Sequence, residues 1–118
     1  MNQDKIMWAA GLFEGEGSVM SVENGKTLSL SLAMSDEDVV KMFADVMGRG
    51  KVHGPYQYGK SKPMWYWKVS SKDFVDEVFE VFKPYLGKRR LEKFAEVFSS
   101  WENYPGKRYP SRRNTKAK

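Results

Sequence analysis

Two glutamates two residues apart, set among glycines at the end of an apolar segment, are the residues of this 118-residue chain best suited to chemistry. The stretch reads Ala9-Ala10-Gly11-Leu12-Phe13-Glu14-Gly15-Glu16-Gly17. Gly11 and Gly15 lie four apart, so on a helix they leave one strip bare of side chains, along which another helix backbone can approach closely. If that partner is the same helix of a second subunit, a two-fold axis brings two copies of Glu16 together. Adjacent carboxylates repel unless a cation sits between them. Hard oxygen ligands favour Mg²⁺ or Ca²⁺, and divalent ions between carboxylates and phosphates are the standard arrangement for phosphodiester hydrolysis. The position of Glu16 just past a helix end, where the negative end of the dipole disfavours an acid, also demands compensation from elsewhere. The plainer alternative is a pair of ordinary surface acids.

Composition narrows the chemistry. The absence of cysteine excludes disulfides, zinc-thiolate sites and thiol nucleophiles, and one histidine is too few for a His-rich metal site. His53 therefore reads as a surface or groove hydrogen-bonder. No apolar run approaches the roughly 18 residues of a membrane span, and residues 1–8 lack the pattern of a signal region, so an intracellular protein is expected, cytoplasmic or organellar and nucleoid-associated. The net charge of +5 is unevenly spread. Residues 1–82 carry 9 positive and 12 negative side chains, net −3, whereas residues 83–118 carry 11 positive and 3 negative, net +8. A basicity confined to one end is the footprint of a polyanion partner, and without an amphipathic apolar face beside it nucleic acid fits better than a membrane.

The elements that must position these residues follow from periodicity and punctuation. Asn2 can cap a helix over residues 4–14 that is apolar on nearly every side, and such a helix is expected to be buried. A strand over 18–23, an Asn24-Gly25 type I′ turn and a strictly alternating strand over 27–34 make a hairpin. Ser35-Asp36-Glu37-Asp38 reads as a capping box opening a helix that stops at Gly48. Strands over 51–58 and 64–69 form a second hairpin, Ser70 to Asp73 opens a helix ending near Pro84, and a last helix covers 88–101. Trp8, Trp65 and Trp67 fall in phase with other apolar groups and are expected in the core. The order α-β-β-α-β-β-α-α gives an α+β domain over residues 1–104 with a four-stranded antiparallel sheet, followed by a basic C-terminal tail over 105–118.

The nine-residue stretch resembles the motif of the LAGLIDADG homing endonucleases. Ala10, Gly11, Leu12 and Gly17 match its letters, while Glu14 and Glu16 replace its two aspartates; the αββαββα order and the Tyr85-Leu86-Gly87-Lys88-Arg89 stretch follow the family as well. The resemblance implies a homodimer whose motif helices pack together through Trp8, Gly11, Leu12 and Gly15, with the two sheets forming a saddle in the DNA major groove. It implies that Glu16, with the Gly15 carbonyl nearby, binds a catalytic Mg²⁺, for which Ca²⁺ or Mn²⁺ can substitute in binding. Glu14 is then a structural helix-end group, and Arg89, with Lys88 as the competing register, polarises the attacking water or stabilises charge. The activity implied is cleavage of double-stranded DNA at a long palindromic or near-palindromic site, leaving short 3′ overhangs, with no small-molecule substrate and no membrane. Two departures stand out: Met34 and Asp38 occupy positions where a water-positioning Gln and a basic residue are expected.

Strand alternation then assigns the surface that meets DNA. Ser18, Met20, Val22 and Asn24, with Thr27, Ser29 and Ser31, line one part; Lys51, His53 and Gln57, with Tyr66, Lys68 and Ser70, extend it. Lys107, Arg108, Arg112 and Arg113 of the tail are expected to neutralise phosphates. Two other readings stand beside the endonuclease: the same scaffold without cleavage, acting as an intron-splicing maturase or DNA-binding regulator, and a small monomeric RNA-binding domain.

Overall fold

The computed structural model describes residues 2–108. The chain runs α1 (Gln3–Glu16), β1 (Gly17–Val22), β2 (Thr27–Met34), α2 (Glu37–Met47), β3 (Lys51–Tyr56), β4 (Met64–Ser70), α3 (Lys72–Phe82) and α4 (Lys88–Glu102), with 3-10 turns at Glu23–Gly25 and Lys83–Tyr85. The strands form one antiparallel sheet in the order β1-β2-β4-β3, which puts β2 and β4 at its centre. Order and fold class are those expected from the sequence. Among the described residues no helix is long and apolar enough to cross a membrane.

Local chemistry accounts for most boundaries. The Asn2 side chain accepts from the N–H groups of Asp4 (2.8 Å) and Lys5 (3.3 Å), satisfying donors that the first helical turn leaves unpaired. At its other end α1 runs two residues beyond the expected stop, because the Gly17 N–H still closes onto the Phe13 carbonyl. The Ser71 hydroxyl caps α3 through the Phe74 N–H at 3.3 Å. The capping box expected at Ser35 does not form: the cap of α2 is Asp36, whose side chain makes no capping bond. The helix ends as expected at Gly48, in the left-handed region with φ 69°.

The first hairpin is a modified version of the turn that Asn24-Gly25 announces. Both residues have positive φ, 59° and 104°, as a type I′ turn requires, and the Lys26 N–H reaches the Glu23 carbonyl at 3.3 Å. Glu23 is left-handed too (φ 50°), so pairing stops at Val22 and Thr27 and four residues form the loop.

One face of the sheet supplies Val19, Leu28, Leu30, Leu32, Trp67 and Val69 to the core. Phe13, fully buried, meets one ring from each of the other helices: Phe43 at 6.4 Å, Phe82 at 5.8 Å and Phe94 at 6.3 Å. Trp67 is buried because its indole N–H finds the Arg49 carbonyl at 2.7 Å. Trp65 is half-buried. Trp8 corrects the expectation: it is 38% exposed, and Met7 beside it 47%. Only Ala9, Ala10 and Phe13 of α1 are buried, so the helix is covered on one side rather than all round.

Candidate active site and nucleic-acid interface

Glu14 and Glu16 end up in opposite situations. The Glu14 carboxylate turns inward and accepts the N–H of Gly87, the cap residue of α4, which has no side-chain cap of its own. An anion thereby sits at the positive end of the α4 dipole. The Glu14 carbonyl, one of the unpaired acceptors at the end of α1, takes a 2.9 Å hydrogen bond from Arg90 Nη2. Glu16, the last residue of α1, is exposed and has no ion-pair partner among the described residues. Its carboxylate is uncommitted. Among the described residues no three His, Asp or Glu side chains gather into a cation site, and Glu16 stands with Gly15 beside it.

The strip that leads to Glu16 is open. Trp8, Gly11 and Gly15 are exposed and Leu12 is half-buried. A Cβ built on Gly11 or Gly15 would meet nothing within 4 Å, whereas one on Gly17 would collide with the Phe13 ring. Gly17 is thus small for this chain's own packing, and Gly11 and Gly15 are not.

Lys88 and Arg89 both stand exposed at the start of α4, Lys88 3.9 Å from Glu92 and 90% exposed at its side chain. Arg89 lines a surface groove of about 330 Å³ with Ser18, Val19, Arg90, Glu92, Lys93 and Glu96, which brings it to the beginning of β1 and hence to the end of the motif. Arg90, which sequence reading left in a run of basic residues, is the one that faces inward. It falls in phase with Phe94 and Val97 of the buried stripe, holds the end of α1, and lies with its guanidinium carbon 5.6 Å from the Phe13 ring centre. That helical phase was the available signal.

Cross-strand register shows which of these residues lie together, since paired residues share a face. Ser18 pairs with Ser31, Met20 with Ser29 and Val22 with Thr27; Ser29 pairs with Ser70, Ser31 with Lys68, Lys68 with Lys51, and Tyr66 with His53. These residues therefore form one grid opposite the core face. Lys51, His53, Lys68, Ser70 and Met20 are exposed, while Ser18, Val22, Thr27, Ser31 and Tyr66 are half-buried. Asn24 is exposed in the turn. Two corrections follow. Ser29 is only 1% exposed and its hydroxyl has no partner among the described residues, so a central-strand serine between two neighbours is not presented outward. Gln57 lies past the end of β3 and spends its amide on the Ser61 carbonyl at 2.9 Å. The register slips between His53 and Tyr56, which moves Tyr56 onto the face of the grid in its place, 5.5 Å from the Tyr66 ring. Gly54-Pro55 was the sign of that irregularity.

Of the tail, Lys107 is exposed. Arg108 is committed elsewhere, donating to the carbonyls of Gly25 (3.0 Å), Lys26 (3.3 Å) and Trp101, which corrects its reading as a free phosphate contact. Arg112 and Arg113 lie outside the described residues.

No protein-family model matches the chain, and no curated protein does. Solved structures do match. The homing endonuclease I-CvuI in complex with its target is similar over 98% of this chain and 92% of its own, with a TM-score of 0.56 at 16% identity. The group I intron-encoded homing endonuclease I-CeuI, complexed with DNA, gives a TM-score of 0.61 at 14% identity over 86% of this chain and 55% of its own. The LAGLIDADG homing endonuclease I-GzeII with its DNA target gives 0.62 at 20% identity over 99% of this chain. The fold is that of the LAGLIDADG homing endonucleases. This chain spans 42% of the length of I-GzeII. I-CvuI complexes are described both in Mg, with the DNA not cleaved, and in Ca.

Proposed function

We propose that this chain is one half of a metal-dependent, site-specific DNA endonuclease that works as a homodimer. The observation that carries the reading is the uncovered strip Trp8, Gly11, Leu12 and Gly15, which ends at the uncommitted carboxylate of Glu16. Packing that strip against its copy buries apolar surface that one chain leaves in water, and delivers Glu16 of the partner subunit to the same axis.

The donor set suits a hard divalent cation: Glu16 and the Gly15 carbonyl from each chain would hold Mg²⁺, with Ca²⁺ or Mn²⁺ able to bind in its place. When bound, such an ion supplies Lewis acidity toward a phosphoryl oxygen and a more acidic water. The chain's own residues do the rest. The polar grid from Ser18 to Ser70 orients double-stranded DNA through base edges, and its exposed Lys51 and Lys68 offset phosphate charge. Lys88 and Arg89, on a helix start with no acid in its first turn, are cations that folding does not call for and that a phosphate would stabilise. Glu14 stays out of the reaction, holding α1 against α4. Two-fold symmetry requires a palindromic or near-palindromic site, and the fold resemblance suggests short 3′ overhangs.

A second reading, a DNA- or intron-binding protein of the same fold without cleavage, is favoured by one observation. Met34 is half-buried against the core and pairs with Trp65, and Asp38 is exposed at the start of α2, so neither supplies a helper group. Selection of cleaved products from a randomised palindromic DNA library in Mg²⁺ decides between them. Cleavage by the natural chain and its loss by a factor of about 10³ in Glu16→Gln is the expected result. Equal cleavage by both removes Glu16 from the mechanism, and a stable complex uncut in Mg²⁺ and Mn²⁺ favours the second reading.

A further inference from the structure

The β1–β2 turn has an anchor outside the sheet. Gly25 is buried, and a Cβ there would run into the Ser100 carbonyl near the end of α4. The chain continues past α4, where the Tyr104 N–H bonds the Trp101 carbonyl at 3.3 Å, and then places Arg108 over this junction. The guanidinium carbon of Arg108 stands 3.5 Å from the Trp101 ring centre and 4.9 Å from that of Tyr104. Its Nε donates to Lys26, and its Nη2 to Gly25 and to Trp101. Three backbone carbonyls from two elements converge on one planar cation flanked by two aromatic rings. A lysine ammonium, a point charge on a flexible stem, cannot reproduce the fork and the stack together. A guanidinium so engaged is also poorly placed to neutralise a phosphate.

We propose that Arg108 is a positioning residue that fixes the β1–β2 turn against α4 and thereby sets where Asn24 and Thr27 meet the base pairs beneath the turn. The proposal rests on the DNA-binding reading for its functional half and on the turn geometry alone for its structural half. Its test uses the full chain with Arg108→Lys and Arg108→Ala. In the free protein, hydrogen exchange at residues 24–27 should quicken about tenfold in both variants while the amides of β2 and β4 keep their protection. On a selected DNA site, both variants should lose about tenfold in discrimination at the pairs under the turn and none at the centre. The slope of log K against log salt should stay parallel to that of the natural chain, since about 0.9 would be lost for each phosphate contact removed. Natural turn protection and discrimination in Arg108→Lys, with a slope reduced in Arg108→Ala, would overturn the proposal in favour of a phosphate contact. Loss of protection throughout the sheet would overturn it too, by making Arg108 a residue of the fold as a whole. Absence of DNA binding in every variant would sink the DNA reading, and the exchange data would still decide the anchor.

Discussion

On one side of α1, Ala9, Ala10 and Phe13 have no exposed surface; on the other, Met7 and Trp8 keep 47% and 38% of theirs. The two sides are about equally apolar in sequence, and their glutamates lie two residues apart. What separates them is supply: the inner side meets Phe43, Phe82 and Phe94, whereas on the outer side a Cβ added at Gly11 or Gly15 would meet nothing within 4 Å among the described residues. Apolar character alone therefore does not distinguish a surface the chain buries by itself from one it leaves exposed. The two carboxylates show the same division, Glu14 bound into the fold and Glu16 left outside it.

Substitutions on the two sides sharpen this contrast, from the largest effect on folding to the smallest. Phe13→Ala should destabilise the chain by about 3–5 kcal/mol in denaturant titration, because it empties the point where all four helices meet. Glu14→Ala should cost about 1–2 kcal/mol by the same measurement, the range for a lost helix cap. Gly15→Leu should change monomer stability by less than about 1 kcal/mol, since the site is open and leucine is the better helix former. The same variant should abolish self-association in sedimentation; an association constant equal to that of the natural chain would break the assignment of the outer side. Glu16→Gln should stay within about 0.5 kcal/mol in stability while losing cleavage, whereas a folding cost as large as that of Glu14→Ala would erase the difference between the two acids.

The sequence carries the fold well because its signals are local and mutually consistent. Asn2, Gly48 and Ser71 mark helix ends by capping chemistry, and the Leu28-Leu30-Leu32 alternation marks β2 and its core face. Nearly all of the residues expected on one sheet face do share it, because register preserves parity. It fails where parity is broken, at Gly54-Pro55, which exchanges Gln57 for Tyr56. Ser29 escapes sequence reading for a different reason: its neighbours Met20 and Ser70 lie on other strands, and burial by cross-strand neighbours has no local signature. The inward turn of Glu14 and Arg90 and the carbonyl cluster around Arg108 are likewise long-range, joining residues more than 70 positions apart. Apolar phase places Trp8 in the core but does not say how many sides of α1 one chain covers.

The outer strand β3 has one more consequence. Pro55 offers no N–H and the pairing slips between His53 and Tyr56, so that margin lacks the regular row of donors and acceptors that an incoming strand needs. With Lys51 exposed at its start, the margin is a poor template for a further strand, and the same irregularity carries Tyr56 onto the sheet face that Tyr66 occupies.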